Sequence, residues 1–333
     1  MSGHDQRDRV TASAKPKGAR RVTSSDVARA AGVSRATVSY VLNSVETETI
    51  SEATRQRVLK AAEELGHVPN APARSLRRGR SDIVLVLIRD FDLSWISQHM
   101  LDAIDTALAR RGMIMLVDRY DSRLRSVSDL WQLVTPSLVI GLGGLTIPEE
   151  AVIEMSSERF LAMQGMVPNL RVGELQAEYL VERGHSRFSY AMVKTPKANI
   201  VAIERLTGFQ AALERLGIAP AEVIEVDLGR PETSRDAVLA SRERGFTAIA
   251  AQDDDLALSL MTWMGALGLV PGRDLALMGV DDAPAAAIGL TTVRIEVDLW
   301  EPNVISAMEA LLDNKPVPDM SHDIVRVVPR TSA

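Results

Sequence analysis

Residues 22–43, VTSSDVARAAGVSRATVSYVLN, decide the fold of the first part of the chain. Thr23 followed three residues later by Asp26 is a variant of the capping box that opens a helix, and Gly32 is typical of a residue that ends one. Ser34 is placed to open a second helix soon after that glycine, which is closer than in an ordinary helical hairpin. The stretch therefore predicts two short helices joined by a tight turn.

The second of these helices has one apolar side and one polar side. Val38, Val41 and Leu42 recur at helical spacing and are predicted to face a core. The outer faces keep small or polar side chains and one arginine: Arg35, Ala36, Thr37, Ser39, Tyr40 and Asn43. Such a helix suits a nucleic-acid groove, and the whole pattern is that of a helix-turn-helix, although any small three-helix bundle has similar spacing.

A third helix is predicted after Ser51, a capping residue type. Its inward residues are expected to be Val58, Leu59, Ala62 and Leu65. Ahead of the three helices, residues 1–21 lack apolar periodicity and are rich in Lys, Arg, Ser, Ala and Gly. That composition predicts a disordered basic arm.

Charge is distributed unevenly along the chain. Residues 1–80 hold about twice as many Lys and Arg as Asp and Glu, whereas the whole chain has a net charge of −6. A basic head on an acidic body indicates a head that binds a polyanion, because phosphate repels an acidic body. A solvated basic tail without function is the alternative.

Composition excludes several classes of protein. The 333 residues include no Cys, so a disulfide framework, a cysteine-ligated metal and a thiol nucleophile are excluded, and a reducing cytoplasm is favoured. No apolar run reaches the ~18 residues of a membrane span, and residues 1–21 lack the apolar core of a signal peptide. We expect no membrane partner.

Catalytic motifs are missing from the sequence. The histidines show no metal-ligand spacing and there is no Gly-x-Ser-x-Gly motif. Residues 141–144 are Gly-rich, but no Gly-Lys-Ser/Thr follows, so a strand-end turn is favoured over a phosphate cradle. We expect no enzyme activity, no cofactor and no metal.

From residue 81 the pattern changes to short apolar runs separated by amphipathic segments. The runs, predicted to be buried parallel strands, are 83–88, 113–117, 138–142, 188–193, 223–226, 248–251 and 275–280. The helices predicted between them include 100–111, 203–216 and 255–267. Strands that alternate with helices indicate an α/β fold with doubly wound sheets.

Residues 22–43, followed by VPNAPARSL at 68–76, closely resemble the head of the LacI/GalR family of bacterial repressors. Stretches of the body continue the resemblance, at 205–213, 253–258, 278–282, 290–293 and 329–332. The resemblance implies an all-α helix-turn-helix head and an α/β core of two periplasmic-binding-protein-like lobes with doubly wound parallel sheets. A ligand then lies in the cleft between the lobes, where the strands end.

The resemblance also divides the chain. The implied parts are a disordered basic arm at 1–21, a helix-turn-helix domain at 22–68, a hinge helix and linker at 69–80, and an effector-binding and dimerisation core at 81–333. Within the core, lobe 1 is expected at about 81–183 and 295–323, and lobe 2 at about 184–294 and 324–333. Three crossovers, near 183, 294 and 323, join the lobes.

Residues of the head match positions of the family that contact DNA. The matches to phosphate-holding positions are Thr23, Ser34, Thr37, Ser39, Asn43 and Asn70. The matches to base-reading positions are Arg35, Ala36 and Tyr40. Arg35 can donate two hydrogen bonds to a guanine edge, Ala36 can contact a thymine methyl group, and Tyr40 can form one hydrogen bond with a base. Tyr40 stands where the best-known members of the family have Arg, and the loop at 45–50 is two residues longer than in the best-known member. The operator sequence is therefore not predicted.

The hinge segment implies a dimer. Ala73 and Leu76 match residues that enter the minor groove, where Leu76 would act as an apolar wedge that kinks the duplex. A buried residue in a linker helix is the alternative for Leu76. Nearby arginines suit phosphate neutralisation: Arg74, Arg77, Arg78 and Arg80. Only a dimer presents two wedges at the centre of an operator.

In the core, Arg205 and Asp281 match effector-contacting positions, and Asp253 lies where many members have Asn. The alternatives are that Arg205 pairs with a neighbouring carboxylate and that Asp253 caps a helix. The Asp that sugar-binding members carry at a strand end of lobe 1 is missing around 164–180. We therefore expect an effector that is not an ordinary sugar, or a degenerate cleft.

These expectations combine into one function. The chain is predicted to be a cytoplasmic, nucleoid-associated repressor whose partners are double-stranded operator DNA, a second copy of itself, and a sugar, nucleobase or other metabolite in the cleft. The alternatives are a cleft-type small-molecule-binding protein and an effector-independent DNA-binding regulator with a degenerate cleft.

Overall fold

The computed structural model falls into two compact units, Met1–Arg74 and Ser75–Ala333. It describes residues 22–42, 50–66, 81–88, 94–121, 123–124, 126–142, 159–162, 166–195, 199–319 and 323–333. The predicted arm and hinge helix, and the predicted DNA contacts Asn43, Asn70, Ala73 and Leu76, lie outside these residues.

The described part of the first unit is three helices, α1 (Ser24–Ala31), α2 (Arg35–Leu42) and α3 (Glu52–Glu64). The predicted capping box of Thr23 and Asp26 is confirmed, and Gly32 ends α1 at a φ of 65°, which favours glycine. Ser51 caps α3 through the Thr54 backbone N–H, as predicted.

The small core of the head consists of buried apolar side chains. It contains Val27, Ala28, Ala31, Val38, Val41, Val58, Ala61 and Ala62. The prediction that Leu59 and Leu65 face inward is wrong, since their exposed fractions are 42% and 38%. The inward stripe of α3 runs instead through Val58, Ala61 and Ala62, which are spaced at i, i+3 and i+4 and so share one face.

The second unit contains two sheets. The first lobe begins with β1 (Ile83–Ile88), α4 (Trp95–Arg110), β2 (Ile114–Arg119), α5 (Val127–Val134), β3 (Leu138–Leu142) and β4 (Phe160–Ala162). Its four strands lie in the order β2-β1-β3-β4 and are all parallel. The prediction that every run is a buried strand is wrong for two edge strands, β2 and the strand Glu222–Val226 of the second sheet, because each pairs on one side only and most of its residues are not buried.

The second lobe follows with a six-stranded sheet. Its elements are α6 (Asn169–Glu182), β5 (Phe188–Val193), α7 (Ile200–Arg215), β6 (Glu222–Val226), α8 (Glu232–Glu243), β7 (Ala248–Ala251), α9 (Asp254–Ala266), β8 (Ala276–Val280), a 3-10 helix (Pro284–Ile288) and β9 (Thr291–Ile295). The chain then returns to the first lobe as α10 (Val297–Leu312) and ends in β10 (Val325–Val328) of the second. The strand order is β10-β9-β8-β7-β5-β6, parallel except for β10.

The first crossover between the lobes lies earlier than expected. Val172, Ala177 and Leu180 of α6 pack in the second-lobe core against Phe188 and Phe209, so α6 belongs to the second lobe. The chain therefore crosses between β4 and α6, and the expected crossover near 183 is wrong. The sequence could not show this, because a helix between two parallel strands can pack on either sheet.

Two glycines let α6 and α7 approach closely. A Cβ atom on Gly173 would overlap the carbonyl oxygen of Arg205, and one on Gly208 would overlap the carbonyl oxygen of Leu170. This close packing fixes the start of α6 beside Arg205. Among the described residues, none of the helices has both the length and the apolar composition needed to cross a membrane.

Candidate DNA interface and ligand cleft

The first turn of α2 is the exposed part of the helix-turn-helix. Arg35 and Ala36 are exposed, whereas Val38 and Val41 are held in the core of the head. Arg35 has no hydrogen-bond or ion-pair partner within the described ranges. Tyr40 lies one turn further along and is half-buried. The structure thus presents a guanidinium without a partner among the described residues, and a methyl group, at the N-terminal end of α2, the end that reads bases in helix-turn-helix proteins.

The hydroxyls predicted to hold phosphates also shape the helix ends. Thr23 donates its hydroxyl hydrogen to Asp26 (2.7 Å), and Ser34 Oγ accepts the Thr37 backbone N–H (3.0 Å). Ser34 and Thr37 also share a hydroxyl–hydroxyl hydrogen bond of 2.9 Å, while Ser39 is half-buried on α2. These caps fix the N-termini of α1 and α2, where backbone N–H groups and the helix dipole favour an anion.

A cavity of about 150 Å³ lies in the core between the two lobes. Its second-lobe wall is built at the carboxyl ends of β5, β7 and β8 and at the first turns of α6, α7 and α9. The three residues predicted to contact an effector, Arg205, Asp253 and Asp281, all line it. This is the crevice in which open α/β sheets bind ligands.

Arg205 is the centre of a buried polar network. Its Nε donates to Asn169 Oδ1 (3.2 Å), its Nη1 to the Gln252 carbonyl oxygen (2.6 Å) and its Nη2 to Asp281 Oδ1 (3.1 Å). The side chain is 5% exposed. Arg205 therefore lines the cavity, as an effector-contacting residue would, and it also pairs with a carboxylate, which is the alternative drawn from the sequence.

Asp281 follows β8 in an unusual backbone conformation. Asp281 and Asp282 have φ angles of 105° and 51°, a region in which residues other than glycine are strained. Salt bridges from Asp282 to Arg294 and Arg330 hold this turn in place. Burial raises the pKa of Asp281 to about 6, although the guanidinium of Arg205 acts in the opposite direction.

A polar contact links the two sides of the cleft. Ser94, at the start of α4 in the first lobe, lies close enough to the Asp281 carboxylate of the second lobe to favour its charged form. A second hydroxyl, that of Ser97, lies 3.2 Å from Ser94 Oγ. Separation of the lobes would break the contact between Ser94 and Asp281, so the two-lobe arrangement and the Arg205 network are directly connected.

Asp253 is a helix cap and a cavity residue at once. Its Oδ1 accepts the Leu256 backbone N–H (2.9 Å) at the start of α9, and its Oδ2 accepts from Gln252 Nε2 (2.8 Å). Gln252 Oε1 in turn accepts the Val193 backbone N–H (2.9 Å). The cap predicted as the alternative is present, and it aims the carboxylate along the wall of the cleft.

Sequence reasoning missed several polar residues of the cleft: Asn169, Glu204, Gln252 and Asp255. Gln252 follows β7 directly, and this strand-end position was the signal that could have identified it. In the first lobe, the described residues that line the cavity provide only two polar side chains, Ser94 and Ser97. Residues 163–165, part of the stretch where the strand-end Asp is missing, lie outside the described residues.

The two units together define a class of protein. A capped helix-turn-helix with a free first turn on its second helix is a DNA-reading module. A two-lobed α/β core with a polar network at its strand ends is a ligand-binding module. The class is a DNA-binding regulator that carries its own ligand cleft.

Comparison with known families agrees with this class. The model of bacterial regulatory proteins of the lacI family matches residues 23–70, and that of the periplasmic binding protein-like domain matches residues 177–333. The chain therefore carries a helix-turn-helix domain of the lacI type and a periplasmic binding protein-like domain, and its function is transcriptional regulation. The resemblance and the fold class expected from the sequence are confirmed.

Curated relatives resemble nearly the whole chain. The HTH-type transcriptional regulator GalR of Escherichia coli (strain K12) is 29% identical, with 90% of this chain and 92% of GalR covered. The HTH-type transcriptional repressor PurR of Vibrio atlanticus (strain LGP32) is 27% identical, with coverage of 82% and 86%. The HTH-type transcriptional repressor CytR of Escherichia coli (strain K12) is 28% identical, with coverage of 78% and 80%.

Solved structures share the fold. A crystal structure of the Lac repressor dimer bound to operator and the anti-inducer ONPF aligns with a TM-score of 0.74 at 23% identity, covering 94% of this chain and 99% of that one. A complex of the transcriptional regulator CelR with cellobiose aligns with a TM-score of 0.57 at 23% identity, covering 94% of this chain and 100% of that one.

Proposed function

We propose that this protein is a dimeric repressor that binds a palindromic operator and responds to a small molecule in the cleft between its lobes. It acts by binding rather than by catalysis, in the cytoplasm where the genome is accessible. The observation that carries the proposal is the exposed first turn of α2, where Arg35 has no partner among the described residues and α2 is anchored by Val38 and Val41.

Roles within the head follow from position. Arg35, Ala36 and Tyr40 read base edges, and Thr23, Ser34, Thr37 and Ser39 hold phosphates at the helix ends. Asn43 and Asn70 add phosphate contacts, and Ala73 and Leu76 enter the minor groove. The last four residues carry this role on the family resemblance alone.

The coupling between ligand and DNA rests on the cleft. A ligand in the cavity changes the distance between the lobes because it competes for the contact between Ser94 and Asp281. Reorientation of the first lobes in a dimer then changes the spacing of the two heads. A ligand shifts this equilibrium only as far as its affinities for the two lobe arrangements differ.

Selection of bound fragments from random duplex DNA, with the full chain at moderate ionic strength, tests the proposal. The expected product is a two-fold symmetric site, enriched more strongly as salt competes away non-specific binding. Equal recovery of all sequences, or a protein that stays monomeric in sedimentation under the same conditions, would contradict it.

A further inference from the structure

The two walls of the cleft differ in chemistry. The first-lobe side is mainly apolar: its described residues include Ile96, Met100, Leu142, Val167, Ile295 and Trp300, beside the two hydroxyls of Ser94 and Ser97. Trp300 is 3% exposed, and its Nε1 has no hydrogen-bond acceptor among the described residues. An aromatic ring packed on this side would add apolar contact and offer a weak π acceptor to an indole N–H.

The second-lobe wall is acidic. Four carboxylates among the described residues line the cavity, those of Glu204, Asp253, Asp255 and Asp281. Arg205 is the one cation of this described lining, and its charge is already matched by Asp281 at 3.1 Å. Asp255 has neither a hydrogen bond nor an ion pair with a described residue, and burial together with the charge of Asp253 raises the pKa of Asp255.

Size and charge together restrict the ligand. A cavity of about 150 Å³ is the size that holds one benzene-like ring. A sugar would place most of its hydroxyls against apolar side chains, because the described groups of this side that can bond a hydroxyl are only Ser94, Ser97 and the Trp300 N–H. An anion would face several carboxylates and one guanidinium that is already neutralised.

We propose that the cleft binds a small aromatic amine, with its ring on the apolar side and its ammonium group beside Asp253 and Asp255. This inference rests on the proposed function, since it names the ligand class of the same cleft. Both halves of the ligand match a wall: the ring matches the side formed by Ile96, Met100 and Trp300, and the cation matches the excess of carboxylates.

Four small probes separate the possibilities: three benzene derivatives of similar size, namely benzylamine, benzyl alcohol and benzoate, and the sugar D-galactose. The midpoint of thermal unfolding of the full chain is measured against the concentration of each probe, because a ligand that binds the folded state raises this midpoint. Benzylamine is expected to bind about tenfold more tightly than benzyl alcohol, and benzoate and D-galactose more weakly than both. Tighter binding of D-galactose, or equal binding of the charged and uncharged rings, overturns the inference.

A variant tests the charge directly. Asp255→Asn removes an exposed carboxylate without a described partner, so the fold is retained, and it should reduce the preference for benzylamine over benzyl alcohol by several fold. Asp236→Asn removes an exposed carboxylate on α8 that pairs with Arg235 and is not part of the described cavity lining, and it serves as the control for the loss of one negative charge. An unchanged preference in Asp255→Asn overturns the assignment of the ammonium position.

The failure of this inference and the failure of the proposed function are distinguishable. Binding to a selected operator together with binding of D-galactose, and not of benzylamine, overturns the ligand class and leaves the regulator intact. Binding of benzylamine by a protein that recovers all DNA sequences equally supports the ligand class and overturns the regulator.

Discussion

At the scale of single residues, Asp254 is a carboxylate almost without solvent contact in the first turn of α9. Its Oδ2 accepts the Ala283 backbone N–H (2.7 Å), and its Oδ1 lies 2.7 Å from the hydroxyl of Thr292. Burial raises the pKa of Asp254 to about 8. An unfolded Asp has a pKa of about 3.9, so the stability contributed by the protonated carboxyl is fully present below about pH 4 and is lost as the pH rises to about 8.

Replacement of Asp254 by Asn should reduce this pH dependence. The Asn amide oxygen can accept from Ala283 and the amide nitrogen can donate to Thr292, which reproduces the neutral form of the acid. We expect Asp254→Asn to flatten the fall in the free energy of unfolding between about pH 4 and pH 8, and to be more stable than the parent at pH 8. Urea unfolding across this range measures it, and parallel curves for the two proteins would contradict it.

Arg35 carries the most specific prediction about DNA. Arg35→Ala should relax the choice of one base pair in each half-site, with a loss of about 1–3 kcal/mol of discrimination there. Lys15→Ala and Lys17→Ala, in the basic arm, should weaken binding to all sequences alike. Selection from random DNA with each variant measures both effects, and a uniform loss for Arg35→Ala would show that Arg35 does not read a base.

The sequence could predict three charged residues that line the cleft, Arg205, Asp253 and Asp281, but not the bonds among them. The resemblance placed Arg205 and Asp281, and the structure joins them although they are 76 positions apart. Asn169 and Gln252 enter the same network only because α6, α7 and the ends of β7 and β8 converge. Such long-range convergence depends on packing, and no local pattern of residues records it.

At the scale of elements, the contact of α6 with α7 depends on two glycines. Gly208→Ala would drive a Cβ into the carbonyl oxygen of Leu170, which is backbone and cannot move alone. We expect a loss of about 1–3 kcal/mol in the free energy of unfolding of the core.

Gly265→Ala provides the matched control for that prediction. Gly265 is also helical, in α9, but a Cβ there meets no atom within 4 Å. This substitution should stabilise the core by up to about 1 kcal/mol, since it only improves helix propensity. Similar effects of the two substitutions in urea unfolding would show that close packing is not the reason for Gly208.

Element boundaries follow local chemistry where caps mark them. The capping box at Thr23 and the cap at Ser51 fix the starts of α1 and α3, as the sequence predicts. Short elements without such signals were missed, namely β4, β9 and β10, and the exposure of β2 was not foreseen. An apolar run has the same appearance in sequence whether a neighbour covers it or leaves it at an edge.

At the scale of the whole molecule, β2 supports the proposed dimer. This edge strand exposes Ile114 (64%), Leu116 and Val117 in an otherwise acidic chain, and exposed apolar edges of this kind are sites of association. We expect Ile114→Lys to weaken dimerisation and, with it, binding to a palindromic site. Sedimentation measures the first effect and operator titration the second.

A matched control for the dimer prediction is Val223→Lys. Val223 is an exposed apolar residue on β6, one of the two edge strands of the other lobe. The Val223→Lys substitution should leave both dimerisation and binding to a palindromic site unchanged. Equal behaviour of the two variants would show that β2 is not the dimer contact.

The position of Trp300 gives the molecule an optical probe of its own. This indole sits against the cavity, whereas Trp131 and Trp263 do not line it. Substitution of those two by Phe would leave Trp300 and Trp95 as the emitting residues. Trp95, at the start of α4, packs against the same core cluster as Trp300, so the emission would report on the neighbourhood of the cleft. Quenching or a wavelength shift of this emission, as a ligand is titrated into the protein, would then report occupancy of the cavity without any label.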